Sequence, residues 1–280
     1  FFYAKDVIKT KGANIELTNI WRTKEPTLIS LWNEVRLRKF MITEKLAIDG
    51  PFSTEIGPEL LQKKDSDEVV LCLNYDGKFG LNNMNNYFQA SNKGKAVNWG
   101  EWTYKEGDQI LFNDSKRFPI LHNNLKGRIV RIEKIPKKEI SFTIKIDLVL
   151  TEQECEKNDI EYIHSNGKNT EIKITISRYD ANTIKETEEE EARMKAVIPF
   201  QLAYAVSIHK AQGLEYNSVK VVIPESNSEK ITHGIFYTAI TRAKEKLKIY
   251  WSSETMKKIV ESFSKEESRK RSLQIIKRKL

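Results

Sequence analysis

Tyr204-Ala-Val-Ser-Ile-His-Lys-Ala-Gln-Gly-Leu-Glu-Tyr216 decides how this chain is read. A small hydroxyl residue, a histidine, a lysine, a glutamine and a glycine fall within the seven positions from Ser207 to Gly213. They stand just ahead of residues 219–223, an apolar run of strand length. Gly213 permits close approach of the backbone to a ligand. Ser207 and neighbouring backbone N–H groups are donors of the kind that hold a phosphate oxygen, and Glu215 suits a ribose hydroxyl. Taken singly, each residue is equally at home in a loop with a satisfied histidine and a solvated lysine.

The next informative segment is Ile235-Phe-Tyr-Thr-Ala-Ile-Thr-Arg-Ala-Lys-Glu-Lys-Leu247. Residues 236–243 read as a helix between two buried strands, 219–223 and 247–251. On that helix Phe236, Ala239, Ile240 and Ala243 share one face and belong to a core, and Arg242 falls off it. A planar, permanently charged fork suits a developing phosphate charge. The plainer reading is a surface arginine paired with Glu245.

Upstream, residues 14–20 alternate apolar and polar as a strand does. A helix starts near Pro26, with Leu28, Leu31, Trp32 and Val35 at i, i+3, i+4 and i+7. Residues 69–73 read as a buried strand and 81–88 as a helix. The texture changes near residue 100. Short alternating runs at 109–112, 128–132, 141–150 and 171–177, separated by turn residues, predict a small barrel or sandwich. Residues 186–191 hold five Glu in six positions, a solvated helix start or linker. Residues 265–280 hold seven Lys or Arg in sixteen, a basic terminal helix or tail. The expected plan is α/β: 1–98 and 190–256 build one domain, 99–189 is a β-rich insert, and 257–280 is a tail.

Composition narrows the classes. The chain has 280 residues, 39% of them hydrophobic and 31% charged, with mean hydropathy −0.54. Five Trp, ten Tyr and twelve Phe rule out a wholly disordered chain. No apolar run approaches the ~18 residues of a membrane span. Two cysteines, Cys72 and Cys155, make neither a disulfide framework nor a metal cluster and point to a reducing, cytoplasmic setting. A net charge of +8 and a pI near 9.2 favour a polyanionic partner, nucleic acid first.

Ser-Ile-His-Lys-Ala-Gln-Gly-Leu-Glu, followed about 25 residues later by Tyr-Thr-Ala-Ile-Thr-Arg-Ala, resembles motifs V and VI of superfamily 1 helicases, RecD-like branch. Other segments share the resemblance. Leu17-Thr-Asn-Ile-Trp-Arg22 is similar to the family segment whose arginine reaches the terminal phosphate. The strand, loop and helix from Val70 to Gln89 is similar as well. Glu106-Gly-Asp-Gln-Ile-Leu with His122-Asn-Asn-Leu-Lys-Gly-Arg-Ile-Val130 is similar to the opening of the family's SH3-like insert. Asn123-Asn124 replaces the usual Asn-Gly, which a left-handed Asn can accommodate. Ser207 stands where Thr is usual, and Gln212-Gly-Leu-Glu is partly UvrD-like.

The resemblance implies a second RecA-like motor domain split by an SH3-like insert. It implies ATP at a cleft that Arg22 and Arg242 face as catalytic residues, with Gln212, Gly213 and Glu215 binding the nucleotide. Single-stranded DNA is assigned to Ser207, His209, Lys210, Thr238 and Asn74. No Gly-x-x-x-x-Gly-Lys-Ser/Thr occurs in the chain, and no acidic run follows an apolar strand. The phosphate cradle and the Mg²⁺ ligands are therefore expected in an N-terminal RecA-like domain ahead of Phe1, which makes this chain a fragment. The alternatives are a non-catalytic nucleic-acid or partner-binding module of helicase-like fold, and an RNA rather than a DNA substrate. The branch favours 5′→3′ travel.

Overall fold

Apolar runs bounded by turn residues become the strands of two sheets in the computed structural model. It describes residues 21–37, 42–135, 139–177 and 196–263. The expected strand at 14–20, the acidic run at 186–191 and the basic tail at 265–280 lie outside the described residues.

The first sheet is parallel and five-stranded. It contains β1 (Ser53–Thr54), β2 (Glu68–Cys72), β11 (Ala205–Ser207), β12 (Tyr216–Val222) and β13 (Ala243–Tyr250), in the order β1-β13-β12-β2-β11. In β2 every residue is buried, as expected of a parallel sheet covered on both faces. Val69 and Leu71 turn to one face, against α1 (Pro26–Leu37), α5 (His233–Ile240) and the helix at 253–263. Val70 and Cys72 turn to the other, against a 3₁₀ turn at Pro58–Leu61 and α3 (Leu81–Ser91). The 3.6-residue pattern of α1 is realised, with Leu28, Leu31, Trp32 and Val35 all buried. The Trp32 indole donates to the Ile240 carbonyl at 3.1 Å, tying α1 to α5.

The second sheet is antiparallel and six-stranded. Its strands are β5 (Gln109–Phe112), β6 (Lys126–Ile135), β7 (Glu139–Ile146), β8 (Glu161–Ser165), β9 (Thr170–Ser177) and β10 (Phe200–Leu202), in the order β10-β5-β6-β7-β9-β8. Burial alternates strictly along β9, the mark of a sheet with one wet face. Among the described residues β10 and β8 stand at the two ends of the ladder, which hydrogen bonding does not close into a ring. A hairpin of β3 (Ala96–Trp99) and β4 (Trp102–Lys105) stands apart. Asn124 takes φ = +67°, the left-handed turn asked of it in place of glycine. A short helix, α2 (Ile42–Lys45), follows α1, and another, α4 (Glu152–Glu156), is capped by Thr151 and Glu154 in a capping box.

The chain leaves the parallel sheet after α3 and re-enters it at β11, immediately after β10 has paired with β5. At this junction Asp108, fully buried, accepts from the Tyr204 hydroxyl (2.8 Å), the Asn92 and Gln89 amides (2.8 and 2.7 Å) and the Lys105 backbone N–H (2.8 Å). One carboxylate thus satisfies donors from α3, β4 and the approach to β11.

Candidate functional site

The parallel topology sorts the residues read from the sequence onto two opposite edges. Glu215 precedes β12 and Arg242 precedes β13, so both lie at the amino ends of the strands. Ser207 ends β11, Asn74 follows β2, and both lie at the carboxyl ends.

At the amino edge, Arg242 is not a surface residue. It is 8% exposed, and each of its three nitrogens donates to a neighbour. Nε donates to the Thr238 carbonyl (2.9 Å), Nη1 to the Leu214 carbonyl (3.1 Å) and Nη2 to the Thr241 hydroxyl (3.1 Å). The pairing with Glu245 does not form. The nearby carboxylate is Glu215, which pairs with Lys244 at 2.6 Å and with Arg22 at 3.4 Å. Arg22 also donates to the Thr241 carbonyl at 2.9 Å. Burial, then the neighbouring Arg22 charge, pushes the Arg242 guanidinium down to about 10. Burial opposes ionisation of Glu215, but the hydrogen bond and charge of Lys244 and the charge of Arg22 outweigh it and hold the carboxyl below its ordinary range. Among the described residues three cations thus gather beside one carboxylate, an excess of two positive charges that favours an added anion.

Thr238, read as a nucleic-acid contact, belongs to this edge: its carbonyl supports Arg242 and accepts from the Thr241 hydroxyl at 3.1 Å. Gln212 and Gly213 are exposed on the turn between the two edges. Gly213 takes φ = +88° with nothing within 4 Å of a built Cβ. Space is free there, yet the backbone conformation still demands glycine.

At the carboxyl edge, Ser207 is 5% exposed and its hydroxyl accepts from the Lys210 backbone N–H at 3.2 Å. The Asn74 amide donates to the Asn227 side chain at 2.6 Å, which joins the ends of β2 and β12. Lys210 Nζ donates to Gln201 Oε1 at 2.9 Å, and His209 is exposed. Carboxyl ends of parallel strands are where open α/β sheets bind ligands.

The sequence reading missed Thr241, Lys244 and Asn227. Lys244 carried a signal, since it follows Arg242 by two residues beside a strand start. Asn227 carried none, because its partner is 153 residues away. Among the described residues no group of three or more His, Cys, Asp or Glu is placed to hold a metal ion. None of the described helices is long and apolar enough to cross a membrane.

Residues 202–250, the segment that carries both edges, match the family described as UvrD-like helicase C-terminal domain. The RecBCD enzyme subunit RecD of Buchnera aphidicola (subsp. Acyrthosiphon pisum) is 25% identical over 65% of this chain and 24% of its own length. The ATP-dependent RecD2 DNA helicase of Deinococcus radiodurans is 32% identical over 26% of this chain and 9% of its own. The alignments thus take in from about a tenth to a quarter of those relatives. Among solved structures, Bacteroides Pif1 bound to single-stranded DNA aligns with 86% of this chain and 53% of its own at 15% identity, TM-score 0.48. Residues 202–250 therefore resemble the UvrD-like helicase C-terminal domain, and the chain is related in sequence to the RecD-like helicases of superfamily 1.

Proposed function

We propose that this chain is the C-terminal motor domain of an ATP-dependent DNA helicase or translocase, working in a reducing, cytoplasmic setting. Residues 1–98 and 190–256 make up the second RecA-like domain and 99–189 its SH3-like insert, which β10 joins; of the basic segment 257–280, Ile259 and Phe263 still pack on the core of the parallel sheet. The observation that carries the reading is the gathering of Arg22, Lys244 and Arg242 at one sheet edge, the first two paired with Glu215 and Arg242 held on the neighbouring Leu214 carbonyl. The donor set fits a terminal phosphate of ATP: two forks and an ammonium, with Glu215 the one anion paired with them among the described residues. The P-loop and the Mg²⁺ ligands are assigned to an N-terminal RecA-like domain of the same protein. Bound there, ATP supplies the phosphoryl group whose transfer drives the motor.

This chain's own residues then act as follows. Arg242 exchanges its carbonyl contacts for the transferring phosphoryl, where charge develops; an arginine so placed is worth about 10³–10⁵ in rate. Arg22 holds the Thr241 carbonyl and so aims the turn that carries Arg242. Glu215 releases or recaptures Arg22 as the cleft closes and opens. Gln212 and Gly213, on the turn between the edges, pass that movement to Ser207, His209, Lys210 and Asn74. These grip phosphates of a single DNA strand without reading its sequence.

The test uses the protein expressed from its whole reading frame. Arg242→Ala lowers DNA-stimulated ATP hydrolysis by about 10³ or more and spares single-strand affinity. Turnover near that of the unsubstituted protein would overturn the catalytic assignment. Absence of nucleotide hydrolysis in the unsubstituted protein, with strand binding kept, would leave the non-catalytic binding module instead.

A further inference from the structure

A cavity of about 920 Å³ opens between α3 and the β3–β4 hairpin, within the usual size range of small-ligand sites. Tyr75, Trp99 and Trp102 supply aromatic walls, and Asn86, Asn113 and Gln201 supply amides. Glu101 is the one charged side chain among the described residues that line it. Trp102 is 68% exposed and Tyr75 51%. Rings left this open to water, beside one cavity, are the informative kind of surface apolar group.

The hairpin that presents Trp102 is anchored. Trp102 pairs across it with Trp99, and Tyr104, two residues on and therefore on the same strand face, is buried. Tyr104 meets Phe142 edge-on at 5.3 Å and Phe200 at 5.9 Å, which pins the hairpin to the antiparallel sheet. The cavity also touches the carboxyl edge. Tyr75 follows Asn74 directly, and Gln201 in its wall accepts from Lys210 Nζ at 2.9 Å. A cation therefore stands at the rim, while the lining itself holds no cation among the described residues and Glu101 as its one charge. Phosphates are favoured outside and uncharged planar groups inside. Amides offer both donors and acceptors, so they meet the edge of any base.

We infer that this cavity receives an unpaired nucleobase of the single strand held by Ser207 and Lys210, and that Trp102 and Tyr75 stack on it. The inference rests on the strand-binding reading above and adds to it a place where the base, and not only the backbone, is held.

The 280-residue chain is titrated with a fluorescent single strand of about twelve nucleotides. It is titrated in parallel with a strand of equal length whose sugars and phosphates are intact but whose bases are absent. The base-bearing strand binds about tenfold or more tighter, the scale of one stacked base. Trp102→Ala removes that preference and leaves affinity for the abasic strand unchanged, and Trp102→Phe keeps most of it. If the unsubstituted chain binds both strands alike, or if Trp102→Ala keeps the preference, the base site is wrong while the backbone grip stands. If neither strand binds, the strand-binding reading fails with it.

Discussion

In β2 of the parallel sheet, consecutive residues Val69, Val70, Leu71 and Cys72 are all buried, two to each face. In β9 of the antiparallel sheet Ile172, Ile174 and Ile176 are buried, while Glu171, Lys173 and Thr175 between them are partly exposed. A strand covered on both sides has nowhere to carry polar groups except its ends. The candidate site residues obey this: Glu215 and Arg242 sit at amino ends, Ser207 and Asn74 at carboxyl ends. The antiparallel sheet spreads polar residues along its wet face, and none of the residues read as nucleotide or DNA contacts lies in it. The exception within the parallel sheet is instructive. Lys220, 4% exposed in the middle of β12, pairs at 2.9 Å with Glu68, 5% exposed at the amino end of β2. They are fully partnered. Ser218 donates to Glu68, and Lys220 donates to the carbonyls of Glu59, Leu60 and Gln62 at the end of the 3₁₀ turn.

The contrast is broken or sharpened most strongly by shaving neighbours in each sheet. Leu71→Ala costs ~2–5 kcal/mol, and its sequence neighbour Val70→Ala also costs more than about 1 kcal/mol, because both faces are packed. Ile174→Ala costs ~2–5 kcal/mol, but its neighbour Lys173→Ala stays within about 0.5 kcal/mol. Urea denaturation reads all four; an insensitive Val70 or a costly Lys173 would erase the distinction between the sheets.

The joint between them gives the next effect. Asp108→Ala removes the acceptor of the buried Tyr204 hydroxyl and of the Lys105 N–H and one of the acceptors of the Gln89 and Asn92 amides, for a loss of ~2–4 kcal/mol. The two sheets then unfold in separate steps, visible as non-coincident fluorescence and circular-dichroism transitions. A single unshifted transition would mean that the network contributes little.

Glu215→Gln is the smallest change. The carboxylate is half exposed, so its pairs with Arg22 and Lys244 are worth only ~0–1 kcal/mol. Because its folded pKa is lowered, the stabilisation is present above the ordinary carboxylate range and is lost as pH falls through the lowered value. Stability of the unsubstituted and Glu215→Gln chains therefore differs at neutral pH and converges on acidification. A difference that grows in acid would contradict the ion-pair assignment.

Much of this was legible along the chain. Leu28, Leu31, Trp32 and Val35 gave α1, continuous apolar runs gave β2 and the far ends of β12 and β13, and the predicted helix at 81–88 is the body of α3. The helix expected at 236–243 ends at Ile240, because Thr241 and Arg242 turn the chain and Ala243 already pairs in β13 with Tyr216. The strand read at 141–150 stops at Ile146, and residues 200–202, read with the motor segment, pair with β5 of the other sheet. Local periodicity reports which face is buried and is silent about the partner that buries it.

The sequence by itself determined the elements and the chemistry available at their ends: the hydroxyl, histidine, lysine and glycine run before β12, the arginine after α5, and the left-handed turn that Asn124 accepts. Only the tertiary structure decided that Arg22 meets Thr241 across 219 residues, that Thr238 serves Arg242, that Asp108 joins the two sheets and that Trp102 faces a cavity. The physical reason is that propensity and period act over a few residues of backbone. Strand order, buried charge pairs and cavities are settled by which distant surfaces exclude water together, and that free energy belongs to no single segment.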